Sequence, residues 1–289
     1  MTKILIFGID GMLGHVMTNY FLLEKQLDIY GISKLENLKE TNTNLNSAKI
    51  FFSNTLDDEF ITNVIYEVKP DFVVNCIGIV KQSKLMNDYI QMIYINSVLP
   101  HKLAKICKKF QSKLIHFSTD CIFSGNKGLY KEDDISDAQE NYGRSKFLGE
   151  VNYGDSITLR TSFFGHQIKS KYSLLEWFLA EKNKCQGYVN HIYSGLPTLE
   201  IARIVKEIIF KYPKISGLYH VSNDPINKYD LLNLIKKIYK KNIKIIKNTD
   251  TTLNRSLDSS LFREKIGYKP PSWELLIKQM HKFQEEKNV

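Results

Sequence analysis

A glycine triplet near the amino terminus constrains the fold more than any other feature of this chain. The apolar run Lys3 to Phe7 leads straight into Gly8-Ile9-Asp10-Gly11-Met12-Leu13-Gly14, and a helical pattern opens there and continues to Glu24. A strand that turns through glycines into a helix is the setting in which a Gly pattern predicts nucleotide binding. Gly8 permits the tight turn, Gly11 lets backbone N–H groups approach a pyrophosphate, and Gly14 lets the helix pack closely on the strand. Asp10, Met12 and Leu13 share this loop and are expected to line the cofactor. The spacing is Gly-x-x-Gly-x-x-Gly, and alone it also fits a tight βα turn without ligand. The second strand ends in Ser33-Lys34. A hydroxyl and an ammonium at that point suit a 2′-phosphate better than a bare ribose, which favours NADP(H). Glu36 nearby keeps NAD(H) open.

The first half repeats the same rhythm. Strand-like runs at Lys3 to Phe7, Asp28 to Ser33, Lys49 to Phe52, Asp71 to Ile77 and Lys113 to Ser118 alternate with helical patterns at Met12 to Glu24, Glu59 to Val68 and Tyr89 to Phe110. The strands are nearly continuous apolar runs, as strands buried on both faces are. The expected class is α/β, a doubly wound parallel Rossmann-type sheet. A helix from Ser136 to Val151 and a strand from Ser156 to Phe164 follow. Residues 1–164 read as the dinucleotide-binding domain, with 217–223 returning to it. Residues 165–289 read as a smaller mixed α/β substrate domain, with helices at Ser173 to Glu181, Leu199 to Phe210, Lys228 to Lys240 and Trp273 to Gln284.

Composition narrows the function classes. With 43% hydrophobic and 25% charged residues the chain is that of an ordinary globular protein. Its longest nearly apolar stretch, Phe72 to Val80, is about half the ~18 residues a membrane helix needs. No membrane insertion is expected, and the amino terminus does not read as a signal peptide, which places the protein in the cytoplasm. Lys plus Arg number 40 against 31 Asp plus Glu, a net charge of +9. The lysines between Lys236 and Lys247 are interleaved with Ile238, Ile243 and Ile245, the pattern of a solvated face, so no nucleic-acid partner is expected. Cys76, Cys107, Cys121 and Cys185 are widely separated, and His166, His191 and His220 lack ligand spacing, so neither a disulfide framework nor a metal site is expected.

The second chemical signal is Tyr142-Gly143-Arg144-Ser145-Lys146. Residues four apart share a helix face, so phenol and ammonium can approach one reaction centre. A phenol with a reference pKa of ~10 becomes a usable acid or base when an ammonium favours its ionised form. Tyr-x-x-x-Lys is weak by itself. It gains weight from Ser118-Thr119-Asp120-Cys121, at the C-terminal end of a central strand where ligands of open α/β sheets bind.

With these motifs the sequence resembles the extended short-chain dehydrogenase/reductase family, and within it the dTDP-4-dehydrorhamnose reductases that act on nucleotide-linked 4-keto-6-deoxy sugars. The likeness spans nearly the whole chain: the Gly loop, Asn75-Cys76-Ile77-Gly78, Asn96, Ser-Thr-Asp, Tyr-x-x-x-Lys, Leu159-Arg160-Thr161, Gly195-Leu196-Pro197-Thr198, Gly217-Leu218-Tyr219-His220-Val221 and Arg255-Ser256-Leu257-Asp258. The resemblance implies an NADPH-dependent reductase of deoxysugar or surface polysaccharide biosynthesis. Tyr142 is then the proton donor, Lys146 the group that lowers its pKa and holds the nicotinamide ribose, Thr119 the residue that orients the carbonyl, and Asn96 a support for the lysine through water. Cys76, Ile77 and Gly78 are implied to line the cofactor. Lys81, Thr119, Asp120 and Arg255 are implied to face the substrate, Arg255 toward its diphosphate, although Arg255 also fits a structural pair with Asp258 or another acid. A nucleotide sugar is the implied partner, and a homodimer is compatible with it.

Departures from the family pattern lie at Cys76-Ile77-Gly78 and Val80-Lys81-Gln82, and they point to a sugar other than the best-known rhamnose precursor. Related dehydratases follow the catalytic Thr with Asp-Glu, whereas here Asp120 precedes Cys121, which disfavours water elimination. An epimerase using NAD remains open, because the same Tyr, Lys and Thr can oxidise and re-reduce carbon-4. So does a non-catalytic NADP-binding subunit, since the regulatory subunit of some methionine adenosyltransferases resembles these reductases.

Overall fold

The structure, a computed structural model, describes residues 1–34, 45, 47–81, 83–168 and 173–287. Its centre is a parallel sheet of strands β1 (Thr2–Phe7), β2 (Leu27–Ser33), β3 (Lys49–Phe52), β4 (Phe72–Asn75), β5 (Lys113–Ser118), β6 (Ile157–Arg160) and β11 (Gly217–His220). They lie side by side in the order β11-β6-β5-β4-β1-β2-β3. Every neighbouring pair is parallel. Successive residues of a strand serve opposite faces. Ile4 and Ile6 enter one core with Leu13, Met17 and Phe21, while Leu5 and Phe7 enter the other with Ile61, Ile65, Leu99 and Leu103. Continuous apolar strands are the consequence of being covered twice.

The covering helices are α1 (Met12–Phe21), α2 (Asp58–Val68), α3 (Tyr89–Ile93), α4 (Leu99–Lys109), α5 (Asn141–Leu148), α6 (Leu174–Ala180), α7 (Thr198–Lys211), α8 (Lys228–Ile238), α9 (Ser260–Ile266) and α10 (Trp273–Lys287). On α1, Leu13, Val16, Met17 and Phe21 are buried at helical spacing, and α1 packs against α7. Asp57 caps α2 by accepting a hydrogen bond from the Phe60 N–H at 2.8 Å. Chain order reverses between β1 and β4, so a crevice opens where the loops after these strands part, the usual ligand position in such sheets.

Two local expectations need correction. The helix expected over Ser136 to Val151 is confined to Asn141–Leu148. Its leading residues are held as a loop, with Ser136 Oγ and the Ala138 N–H both donating to the Ile122 carbonyl. Gly149 ends it against the Asn96 carbonyl oxygen, which a Cβ would approach to 1.9 Å. The strand expected over Ser156 to Phe164 divides: Ile157–Arg160 stays in the main sheet, and β7 (Phe163–Phe164) pairs with β10 (Leu196–Pro197). Three further small-sheet strands, β9 (His191–Tyr193), β12 (Ile226–Asn227) and β14 (Leu253–Asn254), lie together, and β8 (Lys184–Tyr188) pairs with β13 (Lys244–Asn248). Residues of α6, α8 and α10 form a separate apolar cluster around Phe164, Phe178, Leu231 and Met280. Among the described residues, no helix is long and apolar enough to cross a membrane.

Candidate active site

The Gly loop is shaped by close backbone approach. Gly8 adopts φ +79°, where side chains are strained, and donates its N–H to the Ile32 carbonyl at 3.0 Å. A Cβ on Gly14 would come within 2.0 Å of the Gly8 carbonyl oxygen, so only glycine fits there. Gly11 is the N-cap of α1 and supplies no side chain to satisfy the first-turn N–H groups. Free N–H groups at the positive end of a helix, in a loop that keeps its backbone bare, fit a dinucleotide pyrophosphate. Asp10, Gly11 and Met12 are partly exposed on this loop, while Leu13 and Gly14 are buried beneath it. Across the crevice, Cys76 and Ile77 are partly exposed and Gly78 is exposed. Ser33 is buried and Lys34 exposed at the end of β2. Glu36 and Gln82 lie outside the described residues.

The chemical centre lies at the end of β5. Thr119 follows that strand and caps the turn Asp120–Ile122, its Oγ1 accepting from the Cys121 N–H at 3.1 Å. The Thr119 hydroxyl donates to Asp120 Oδ1 at 3.2 Å, and the helix that carries Tyr142 packs closely on this turn, where a Cβ on Gly143 would come within 2.1 Å of the Cys121 carbonyl oxygen. Lys146, one helical turn further along α5, is 6% exposed and donates to the Phe117 carbonyl at 2.7 Å. Burial lowers the Lys146 pKa to about 8, with Glu150 opposing the shift. Burial raises the Tyr142 pKa, reinforced by Cys121 and Asp120 and opposed by the nearby Thr119 hydroxyl. In this arrangement the ammonium serves a backbone carbonyl and the phenol keeps its proton at neutral pH, the state in which it can donate one.

Asn96 acts as a brace. It lies in a π-helical turn, Tyr94–Val98, inserted between α3 and α4, where the sequence predicts unbroken helix. Such insertions often re-aim a functional side chain. Here Asn96 Oδ1 accepts from the Ile79 N–H at 2.9 Å, and Nδ2 donates to the Ile79 carbonyl at 2.9 Å and to Ser145 Oγ at 3.1 Å. Ser145 in turn donates to the Tyr142 carbonyl at 2.9 Å. The loop after β4 and the helix carrying Tyr142 and Lys146 are thereby tied through one amide, without a direct bond from Asn96 to Lys146.

A charged rim surrounds this centre. Lys81 Nζ pairs with Glu140 and lies 6.0 Å from the Tyr142 ring centroid. Arg255 reaches Glu140 at 3.5 Å and Cys121 Sγ at 3.5 Å. The acid that Arg255 meets is thus Glu140 and not Asp258, whose carboxylate turns to Ser260, accepting from its hydroxyl at 2.5 Å and its N–H at 2.9 Å. Asp120 is buried and its pKa is raised by that burial, with Arg255 and Lys81 opposing. Lys228, the first residue of α8, is lowered by burial and feels Asp120, Cys121, Arg255 and Lys81. Burial raises the Tyr193 pKa, reinforced by Asp120 and Cys121.

Sequence reasoning missed Glu140, Lys228 and Tyr193. Glu140 stands two residues before Tyr142 and could have been considered from that proximity. Lys228 and Tyr193 carry no local signal. Arg160 is instead a structural residue: its guanidinium grips Glu150 with two bonds of 2.7 and 2.8 Å, and both side chains are 6% exposed.

The family profile for the RmlD substrate binding domain matches residues 1–285. The chain belongs to that family. Within reach of this RmlD-family chain is the spore coat polysaccharide biosynthesis protein SpsK of Bacillus subtilis (strain 168), 28% identical over 78% of this chain and 75% of SpsK. The dTDP-4-dehydrorhamnose reductase of Aggregatibacter actinomycetemcomitans is 24% identical over 99% of this chain and 100% of that protein. Methionine adenosyltransferase 2 subunit beta of Bos taurus is 22% identical over 79% of this chain and 70% of that one. The crystal structure of dTDP-4-dehydrorhamnose reductase from Bacillus anthracis str. Ames, in complex with NADP, superposes with a TM-score of 0.80 at 18% identity, covering 98% of this chain and 99% of that one. The Rossmann-type architecture of the RmlD family is thus shared along the full chain.

Proposed function

We propose that this protein reduces the 4-keto group of a nucleotide-linked 4-keto-6-deoxy sugar with NADPH, in the assembly of a deoxysugar for a surface polysaccharide. The observation that carries the reading is the close packing of the helix bearing a proton-carrying Tyr142 and Lys146 on the turn Thr119-Asp120-Cys121 that follows a central strand, beside a Gly loop that fits a dinucleotide. Family membership and the reductase relatives support it. The loop Gly8 to Gly14 would hold NADPH and Lys34 would read its 2′-phosphate, and the cofactor would supply the hydride when bound. Thr119 holds the ketone oxygen by hydrogen bonding, and Tyr142 delivers the proton to that oxygen. Lys146, ordered by the Phe117 carbonyl, steadies the nicotinamide ribose and favours the phenolate left after proton transfer. Asn96 keeps the helix that carries both residues in register with the loop after β4. Arg255, Lys81 and Lys228 give the rim the positive charge that an anionic nucleotide requires.

The likeness to an adenosyltransferase subunit supports a second reading, a non-catalytic NADP-binding module. The intact Thr119, Tyr142 and Lys146 favour catalysis over it. The test is loss of NADPH absorbance with a panel of dTDP- and UDP-linked 4-keto-6-deoxy sugars. Tyr142→Phe should retain NADPH affinity and lose at least ~100-fold in turnover, the scale of a removed general acid. Wild-type turnover in that variant refutes the assignment of the donor. NADPH binding with no oxidation by any sugar of the panel shifts weight to the binding module.

A further inference from the structure

Glu140 joins two cations that reach the site from distant parts of the chain. One of its oxygens pairs with Lys81 and the other lies 3.5 Å from Arg255 Nη2. Lys81 hangs 6.0 Å from the Tyr142 ring centroid, and Arg255 Nη1 sits 3.5 Å from Cys121 Sγ. A molecule reaching the Thr119 hydroxyl and the Tyr142 phenol therefore passes this carboxylate. Local structure does not account for its position: Glu140 is the N-cap of α5 but makes no capping bond.

Arg255 is left with unused donors. Its Nε is buried and has no hydrogen-bond partner, one Nη faces a weakly accepting thiol, and the other makes only the long contact with Glu140. A guanidinium is built for two short parallel bonds to one oxyanion. Lys228 adds a third cation that makes no hydrogen bond or ion pair among the described residues. Two cations held on one carboxylate, with Lys228 adding charge to the same region, form a site for a polyanion in which the chain's own acid holds one place.

We propose that Glu140 is a specificity-determining residue that acts as an internal competitor: its carboxylate occupies the position of a diphosphate oxygen between Lys81 and Arg255, and an incoming anion must displace it. This inference rests on reading the site as one for a nucleotide-linked substrate. A small monoanion gains little by replacing a carboxylate already in place. A diphosphate that can also engage Lys228 gains enough to do so. The acid thus lowers affinity for every anion that must displace it, and only a ligand with further charges for the neighbouring cations keeps enough affinity to bind.

The test is calorimetric titration of the full chain with inorganic pyrophosphate and with dTDP, comparing wild type, Glu140→Gln and Lys81→Met. Glu140→Gln should bind pyrophosphate about fivefold more tightly, the scale of a partly exposed ion pair. Its affinity should also depend more steeply on salt. Lys81→Met should bind it more weakly. Glu140→Ala repeats the first measurement without the amide, in case Gln makes contacts of its own. Unchanged or weaker pyrophosphate binding in both Glu140 variants overturns the proposal. The outcomes separate from the activity: tighter pyrophosphate binding without turnover of any 4-keto sugar leaves Glu140 the competitor and removes the reductase reading, whereas turnover with unchanged pyrophosphate affinity does the reverse.

Discussion

Lys146 should cost the fold stability while it serves the site, and Lys146→Met separates the two effects. The side chain is 6% exposed and its one recorded hydrogen bond is to the Phe117 carbonyl. Burial brings its pKa from 10.5 to about 8. A lysine with a depressed folded pKa binds fewer protons folded than unfolded, so stability is lowest below the folded value and rises as pH climbs toward the unfolded one. At pH 7 the penalty for holding this ammonium charged is about 3 kcal/mol, and between pH 7 and pH 9.5 about 2 kcal/mol of it is recovered. Methionine fills a similar volume without charge but leaves the Phe117 carbonyl without its donor, a loss of about 1–3 kcal/mol. The net change at pH 7 should therefore be small or favourable. The decisive quantity is the slope. Urea denaturation at several pH values should show wild-type stability rising by ~2 kcal/mol more than that of Lys146→Met over this range. NADPH oxidation should be lost in the variant. Parallel stability profiles, or a variant several kcal/mol less stable at pH 7, refute the burial argument.

Three further outcomes are expected. Gly14→Ala places a Cβ 2.0 Å from the Gly8 carbonyl oxygen, so the loop must open and NADPH binding, followed by fluorescence titration, should weaken by at least ~10-fold or the protein should fail to fold; unchanged affinity contradicts the packing. Glu150→Ala strands the buried Arg160 guanidinium and should remove about 3–5 kcal/mol, read as a fall of ~10 °C or more in the thermal midpoint; a midpoint near wild type shows that the pair is replaceable by water. Lys34→Ala should weaken NADPH much more than NADH in the same titration, and equal losses show that Lys34 does not read the 2′-phosphate.

What the sequence discloses follows from how far along the chain a contact reaches. The Gly loop is legible because strand, turn and helix are consecutive, and Gly14 answers a clash with the Gly8 carbonyl a few residues before it. Tyr142 and Lys146 are legible because helical periodicity alone puts them on one face. The doubly wound sheet is legible because continuous apolar strands alternating with helices have few ways to bury both faces. The boundaries of α5 were not: the loop before it is held by the Ile122 carbonyl, and its end is set by the Asn96 carbonyl, neither visible in the helix's own residues.

The rim of the site was decided by tertiary structure. Arg255 meets Cys121 and Glu140 across separations of 134 and 115 residues, and Asp258, its neighbour in sequence, turns to Ser260 instead. Lys228 and Tyr193 enter the electrostatic field of Asp120 and Cys121 from elements far along the chain. Even the sign of the Tyr142 shift belongs to the packing, since the motif promises an activating ammonium while burial and two neighbouring acids raise the phenol. Spacing along a helix or through a turn fixes distances of one or two residues' reach by covalent geometry. Charge balance, desolvation and the choice of partner depend on which distant surfaces close over the group, and those are settled only when the whole chain folds.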